Sequence, residues 1–285
     1  MSGTKKLSQA KLNIIYSVCA IALMWVVWII AYFAEGNDYV IPSFWDTFAA
    51  MFSLFGGAEF WRAFGMTMLR TLISFALSFV PAAVLSSLAA ASKPFNGIMR
   101  PVVAVLRSVP TMAIILILLL WTSPSAAPVV VSFLVAFPMV YSQFMAALGG
   151  IDVRLAEMAK VYGVPASQRI LKIYIPAVLP NILSQTGAVF SLTLKVMVSA
   201  EVMARTYVSI GGLMQDAKNF LEIPELFALT LVTVIVGGLL EWALSKLTLL
   251  TRRWTGSPSA QNSSRKVAAS ATEKGGEKEG GVDRV

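Results

Sequence analysis

The sequence predicts an all-α protein that crosses a membrane several times, and three observations support this fold class. Hydrophobic residues make up 57% of the chain. Charged residues make up only 13%, whereas soluble domains carry about 25%. Apolar runs of about 20 residues, the length that a helix needs to cross a bilayer, recur along the whole chain. We therefore predict a polytopic transmembrane helical bundle.

Six runs meet this length criterion, and we predict a spanning helix for each of them. The runs are residues 12–33, 64–91, 102–121, 127–148, 181–203 and 227–250. The first run follows three lysines, as the apolar part of a signal peptide follows its basic start. It is too long for a signal peptide, and no small-residue cleavage site follows it. We expect it to be retained as the first helix of one transmembrane domain, residues 12–253.

The distribution of Lys and Arg predicts that both termini face the cytoplasm, because cytoplasmic loops carry the excess of basic residues. Basic residues occur in the N-terminal tail 1–11, after the second span, after the fourth span and after the sixth span. The stretch 34–60, which leads into the second span, contains no Lys or Arg. Residues 254–285 are rich in Gly, Ser, Lys and Glu without apolar periodicity, so we expect a disordered cytoplasmic tail.

The chain contains one cysteine, Cys19, and no histidine. These counts exclude a disulfide within the chain, a metal site of cysteine and histidine ligands, and acid–base catalysis by histidine. We therefore predict that the chain binds neither a metal nor a cofactor. Its net charge of +8 resembles that of nucleic-acid binders, but the basic residues lie at the edges of apolar runs without interleaved aromatic side chains. We expect contact with membrane lipid and no nucleic-acid binding.

The connection after the fourth span, residues 151–180, is longer than a simple turn and carries its own helix signals. An aspartate stands at a capping position, apolar residues follow at helical spacing, and Gly163 ends this first short helix. Pro165 then imposes an extended step, and residues 166–175 form a second amphipathic helix. The next two prolines are predicted to separate that helix from the fifth span. On physical grounds the segment either docks onto a partner protein or lies on the lipid surface.

This loop contains a signature that resembles the EAA motif of permease subunits of ABC importers. The motif reads Glu-Ala-Ala, three residues, Gly, nine residues and Ile-x-Leu-Pro. The loop matches it in every spacing from Glu157 to Pro176, with Met158 and Ile175 as the two replacements. In that family the motif forms a coupling helix that docks into a groove of the ATPase subunit. The resemblance implies a type I ABC importer (MetI-like) permease core, and it assigns ATPase coupling to Glu157, Met158, Ala159, Gly163, Pro165, Ile173 and Pro176.

Downstream residues resemble the nitrate, sulfonate and taurine branch of these permeases, among them Leu194, Lys195, Ser199, Ala200, Glu201, Ile210, Gly211, Pro224 and Glu225. One departure follows Pro110, where the branch often has a proline-rich motif and this chain does not. The resemblance implies a small anionic cargo, such as nitrate, a sulfonate or taurine. A vitamin or thiamine precursor carried by the same machinery remains an alternative.

The same resemblance implies the partners. These are an ATPase subunit that binds ATP and Mg²⁺, an extracytoplasmic solute-binding protein and a second copy of the permease, all at the bacterial inner membrane. The chain has no Gly-x-x-x-x-Gly-Lys-Ser/Thr phosphate loop of its own. We therefore expect a transporter subunit that is not an enzyme, with ATP hydrolysis on a separate polypeptide.

Two polar stripes within the predicted spans are candidates for the translocation path, because polar groups inside a membrane are rare and often functional. On the fifth span, Ser191, Lys195 and Ser199 share one small, polar face, and Lys195 would supply positive potential to an anion. A close helix–helix interface, or a structural pair between Lys195 and Glu201 or Glu241, would explain the same pattern. Glu201 is also counted among the candidate path residues.

The second stripe lies on the second span and consists of Thr71, Ser74 and Ser78. These hydroxyls either line the same path or satisfy backbone carbonyls that are freed by a kink at Pro81. Arg70 lies in the early turns of this span, and we expect its side chain to extend to the outer surface.

Two other classes of protein compete with the transporter. A membrane-embedded, lipid-modifying enzyme would need paired carboxylates, histidine or a metal at the interface. Asp152 and Glu157 are instead spaced for capping and docking. A scaffold protein would have no ATPase partner.

Overall fold

The computed structural model describes residues 9–151, 158–159, 161–163 and 165–255. In chain order its helices are α1 (Gln9–Glu35), α2 (Phe44–Gly56), α3 (Ala58–Ala91), α4 (Lys93–Ser108), α5 (Thr111–Trp121), α6 (Ala127–Gly149), α7 (Ala166–Arg169), α8 (Ile175–Ala204), α9 (Ile210–Asn219) and α10 (Ile223–Thr255). A π-helical turn, Ile170–Tyr174, joins α7 to α8. The all-α prediction is confirmed for this part of the chain. The predicted tails lie largely outside it.

Within the part of the chain that the structure describes, five helices are long and apolar enough to cross a membrane. These candidate spans are Ile15–Glu35, Ala58–Ala91, Ala127–Gly149, Lys172–Ala204 and Ile223–Lys246. The bent pair of α4 and α5 makes a sixth when it is counted as one span. The structure therefore has the five to six candidate spans that the apolar runs predict.

The third predicted span, residues 102–121, is wrong as a single helix. The chain bends by 93° between α4 and α5. Pro110 has no amide hydrogen and disfavours a helical conformation in the residue before it, and Val109 is accordingly extended at φ −72° and ψ 128°. The Arg107 guanidinium at the end of α4 donates to the carbonyl of Pro138 at 3.2 Å, which holds this turn of α4 against α6.

Helix α8 lies at the centre of the bundle, between α6 and α10, and α6 packs along α3 on its other side. In the most apolar window of α8, 61% of the residues are buried, against 28% in α3 and in α10. One apolar cluster joins α3, α4, α6 and α8 through Ala82, Ala89, Met99, Val103, Phe137, Val140 and Val189. A second joins α2, α3, α8, α9 and α10 through Met51, Phe60, Leu194, Val198, Ile210, Leu229 and Val232.

Two glycines set the close crossing of α8 and α10. A Cβ atom on Gly187 would lie 2.8 Å from the carbonyl oxygen of Glu241. A Cβ atom on Gly237 would lie 3.2 Å from Oγ of Ser191. Small residues at such points let the backbones of membrane helices approach closely. The small-residue face of α8 is therefore, in part, a packed interface.

The predicted break between the loop and the fifth span is also wrong. The backbone remains helical from Ala166 through the π-turn into α8, which passes through Pro176 and Pro180. In the π-turn the Ile175 amide bonds to the Ile170 carbonyl, five residues back. A widened turn accommodates the ring of the proline that follows, which would crowd the carbonyl four residues before it in a regular helix.

Helices α2 and α9 lie in segments that the sequence predicts as outer loops. Helix α2 is capped by Ser43, whose hydroxyl accepts a hydrogen bond from the Trp45 amide at 3.3 Å. Helix α9 is capped by Ser209, whose hydroxyl accepts from the Gly212 amide at 2.8 Å. Both are serine caps, which satisfy one of the free amides of a helix N-terminus.

Candidate functional site

The loop after α6 presents large apolar side chains to its surroundings. Met158 is 51% exposed, Val161 84% and Tyr162 79%, whereas Ala159 is buried. Such a cluster on a short helical turn fits a protein-docking surface. Of the predicted coupling residues, Glu157 lies outside the described residues.

Gly163 ends the helical turn of this loop as predicted. Its φ angle is +65°, in the left-handed region where glycine pays no steric cost. The preceding Tyr162 amide bonds to the Met158 carbonyl at 3.0 Å, which closes the turn. Pro165 is exposed just beyond it, while Ile173 and Pro176, which are partly buried, belong to the continuous helix that leads into α8.

Lys195 lies on an exposed polar face of α8. Ser184, Gln185, Ala188 and Ser199 are exposed on the same face at helical spacing. In the described residues no carboxylate lies within salt-bridge distance of Lys195. The alternative that pairs Lys195 with Glu201 is therefore wrong, and pairing with Glu241 is not observed.

Ser191 lies behind this face, in the interface between α8 and α10. It is 2% exposed, and its hydroxyl has no hydrogen-bond partner among the described residues. Its Oγ and the Cε atom of Lys195 both lie within 4 Å of the point that a Cβ of Gly237 would occupy. Because Gly237 has no side chain, the Ser191 hydroxyl and the aliphatic part of the Lys195 side chain both pack against α10 at this point.

The three hydroxyls predicted on the second span do not line an open path. Thr71, Ser74 and Ser78 are fully buried in α3. Thr71 donates to the Thr67 carbonyl at 2.8 Å, and Ser78 donates to the Ser74 carbonyl at 2.8 Å. Ser74 donates to the carbonyl of Val129 on α6 at 3.1 Å. They satisfy the backbone carbonyls of Thr67, Ser74 and Val129. None of these is the carbonyl of Leu77, four residues before Pro81, which the kink leaves without its helical partner.

Arg70 and Glu201 form a buried ion pair. Arg70 Nη1 lies 3.1 Å from Oε1 of Glu201, and the two residues are 8% and 0% exposed. The expectation that Arg70 extends to the outer surface is wrong, because a carboxylate on α8 satisfies its charge inside the bundle. Glu201 faces Arg70 and is fully buried in this chain, so it does not lie on the exposed polar face that holds Lys195.

A polar cavity of about 610 Å³ lies beside this pair, between the start of α3, the connection 205–209 and α9. Arg62, Arg205, Glu59 and Asp216 are among its charged lining residues. Its position follows from two residues of the connection, Arg205 and Val208, which have positive φ angles of 49° and 48° and fold it sharply.

Sequence reasoning missed Gln185, Gly237 and the Arg70–Glu201 pair. Gln185 lies ten positions before Lys195 and is exposed. At 3.6 residues per turn it is about 80° around the helix from Lys195, at the edge of the polar face, so the spacing gave no signal. Gly237 had no signal of its own because its role is set by residues of another helix. The ion pair joins positions 131 residues apart, and a single sequence does not show which distant charges meet.

The fold and these features are those of a membrane-embedded transport subunit. The family of binding-protein-dependent transport system inner membrane components matches residues 82–250, and this chain belongs to it. It is thus the multi-pass inner-membrane permease of an ABC transporter, a non-catalytic subunit whose family implies a separate ATPase and a periplasmic binding protein.

Several known proteins are similar to this chain. The aliphatic sulfonates transport permease protein SsuC of Bacillus subtilis (strain 168) is 27% identical over 67% of this chain and 70% of its own length. The taurine transport system permease protein TauC of Escherichia coli (strain K12) is 23% identical over 71% and 74%. A solved structure of the MetNI methionine ABC transporter, in an inward-facing conformation, has a TM-score of 0.55 at 20% identity. It covers 67% of this chain and 94% of that chain.

Proposed function

We propose that this permease forms the translocation path for a small organic solute with a sulfonate group, such as an alkanesulfonate or taurine, and that Lys195 attracts that anionic group. The observation that carries this proposal is the exposed ammonium group of Lys195, which has no carboxylate partner in the described residues. The similarity to permeases named for sulfonates and taurine supports the same class.

The depth of Lys195 in the membrane argues against a lipid-facing position. Lys195 lies fourteen residues after Asn181, about 21 Å along the helix at 1.5 Å per residue. A free charge is costly in hydrocarbon, so such residues normally face a water-filled cavity or a protein partner. Gln185 and Ser199 extend the polar face on either side. We infer that this face lines the path.

A path on the surface of one chain must be closed by another. We propose that a second copy of this chain closes it, so that two polar faces of α8 enclose one aqueous space. Ser191 and Gly237 lie just behind the face and keep α10 close to α8. In this arrangement the lipid-facing surface is the apolar one, which includes Leu69, Ile73, Leu77, Val80 and Val84 of α3.

We also propose that the loop between α6 and α8 couples this path to the ATPase, with both termini in the cytoplasm. The exposed cluster of Met158, Val161 and Tyr162 supports a docked partner, and the match of the loop to the EAA spacing supports its identity. Glu157, Ala159 and Gly163 would belong to the coupling helix. ATP-driven closure of the partner subunits would move this loop and alternate the access of the path.

The charge of Lys195 is tested by uptake of radiolabelled taurine and of an alkanesulfonate into proteoliposomes that contain the assembled transporter. Two unit charges 4 Å apart attract by about 4 kcal/mol at an effective dielectric constant near 20. Loss of even a quarter of this slows transport about fivefold. We therefore expect at least that loss for Lys195→Met and near-normal uptake for Lys195→Arg.

Lys218→Met is the matched control, because it removes an exposed cation from α9, away from the proposed path. Unchanged uptake by the Lys195→Met variant would remove Lys195 from the path. If the wild-type complex takes up neither taurine nor the alkanesulfonate, the proposed cargo class is wrong.

A further inference from the structure

A cluster of hydrogen bonds around the Arg70–Glu201 pair connects three helices near the end of α8. The Glu201 carboxylate has both oxygens occupied. Oε1 pairs with Arg70, while Oε2 accepts from the Thr67 hydroxyl at 2.8 Å and from the Gly211 amide at 3.4 Å. The carboxylate therefore bonds to two side chains of α3 and to the first turn of α9.

The partners of Glu201 also bind the connection 205–209 directly. Arg70 Nη1 donates to the carbonyl of Val208 at 3.3 Å. The Thr67 hydroxyl accepts from the Ile210 amide at 3.0 Å. Each side chain thus makes one bond to Glu201 and one bond to the backbone that leads into α9.

Two more contacts fix the same connection from its other end. The Thr206 hydroxyl donates to the carbonyl of Pro124, between α5 and α6, at 2.6 Å. The Thr206 amide donates to the main-chain carbonyl of Glu201 at 3.1 Å. No side chain fits at position 211. A Cβ atom on Gly211 would overlap the Glu201 side chain and lie 2.6 Å from the Val202 amide nitrogen.

We propose that Thr67, Arg70 and Glu201 are positioning residues that hold the connection 205–209 and the start of α9 to α3 and α8 throughout the transport cycle. The connection and α9 form one wall of the 610 Å³ cavity. That wall would then move together with the core helices when access to the path alternates. This inference concerns how the subunit moves and does not depend on the cargo.

Stability alone does not explain a buried ion pair at this place. Burial of two charges costs several kcal/mol of desolvation per ion, and apolar replacement of such pairs is often neutral or stabilising. An apolar pair, however, makes no directed bond to the Val208 carbonyl or to the Gly211 amide, which Arg70 and Glu201 bind. What the charged cluster adds is a fixed position of the backbone in this connection.

The test is hydrogen–deuterium exchange of the peptides that cover residues 205–213, measured by mass spectrometry on the assembled complex with its ATPase in nanodiscs. Two states are compared, nucleotide-free and trapped with ATP and vanadate. In the wild type we expect equal protection in both states. Thr67→Val keeps the side-chain shape but removes the hydroxyl and both of its bonds. Each bond is worth about 1 kcal/mol, so exchange should rise by about tenfold or more.

Thr71→Val is the matched control. Thr71 lies one turn further along α3, is equally buried, and donates only to the Thr67 carbonyl. It should leave the exchange of 205–213 unchanged, and Thr67→Ser should restore protection. Loss of wild-type protection in one nucleotide state would overturn the proposal. Unchanged exchange in Thr67→Val would do the same.

A double variant, Arg70→Met with Glu201→Met, separates positioning from stability. We expect its melting temperature to be close to that of the wild type. We also expect peptides 205–213 to exchange faster than in the wild type in both nucleotide states. If the apolar pair restored full protection as well, the cluster would be only a packing element and the proposal would be wrong.

Discussion

At the scale of the residue, glycines and charged side chains carry most of the specific geometry of this permease. Gly187 and Gly238 show the contrast between a required glycine and a free one. A Cβ at Gly187 would meet the backbone of α10, whereas a Cβ at Gly238 would have no atom within 4 Å. Only the first position needs the absence of a side chain.

Gly187→Ala should therefore destabilise the permease, because α8 and α10 must separate to admit the methyl group. Overpacking of this kind costs about 1–3 kcal/mol. Gly238→Ala should be neutral or stabilising by up to about 1 kcal/mol, since alanine favours the helix. Thermal unfolding in detergent, followed by tryptophan fluorescence, measures both. A lower melting temperature for Gly238→Ala than for Gly187→Ala would contradict the described crossing.

The sequence singles out Lys195 as an unusual charge within a span, but it does not predict the burial of Arg70. A lysine in the middle of an apolar run is unusual, so Lys195 can be recognised from its immediate sequence neighbours alone. Arg70 lies nearer to the end of its run, where an extended side chain reaching the surface is the ordinary outcome. Its actual partner is set by the packing of α3 against α8, which no spacing in one chain reveals.

At the scale of the element, the short helical turn in the loop between α6 and α8 needs a residue at position 163 that tolerates a positive φ angle. Proline fixes φ near −65°, whereas the backbone at Gly163 has a φ of +65°. Gly163→Pro should unwind the end of the coupling helix and abolish co-purification of the ATPase. Gly163→Asn should retain the ATPase, because asparagine tolerates the left-handed conformation.

Glu157→Lys adds a second variant to this test, since the EAA resemblance assigns this position to the coupling surface. The measured quantity is the amount of ATPase recovered per permease after affinity purification. If all three variants recover wild-type amounts, the loop does not couple the ATPase.

Helix boundaries show where sequence patterns are sufficient. The long apolar runs predict α1, α3, α6, α8 and α10 because hydrophobic length alone decides them. The same criterion fails for residues 102–121, where the geometry before Pro110 outweighs the apolar composition. It also misses α2 and α9, whose serine caps at Ser43 and Ser209 are short signals in outer segments.

At the scale of the whole molecule, the proposed pair of permeases can be tested by cross-linking. In a Cys19→Ser background, Gln185→Cys on the polar face of α8 should be linked between two copies by a short bismaleimide in native membranes. Val84→Cys, on the exposed apolar surface of α3, is the control and should stay monomeric on a denaturing gel. Linkage through position 84 but not through position 185 would place the interface on α3 instead.

The whole-molecule predictions came from composition and from the resemblance of one loop. Composition established a polytopic helical protein because lipid selects apolar sequences over the whole chain. The EAA spacing pointed to the family, since it constrains residues that touch a partner of fixed shape. The proposed path is not predictable from one apolar run, because its walls would belong to different helices.

The backbone continues as a helix from the π-turn into α8, so a movement at the Pro176 end is transmitted to the Glu201 end. A helix rises about 1.5 Å per residue, so the stretch from Pro176 to Glu201 is roughly 37 Å long. A rod of this length that tilts by about 5° around one end displaces the other by roughly 3 Å. That displacement equals the length of the bonds that Glu201 makes to Thr67 and Gly211, 2.8 and 3.4 Å. A rotation about Pro176 that is too small to alter any secondary structure there would therefore either break every one of those bonds or carry α3 and α9 along with the rod.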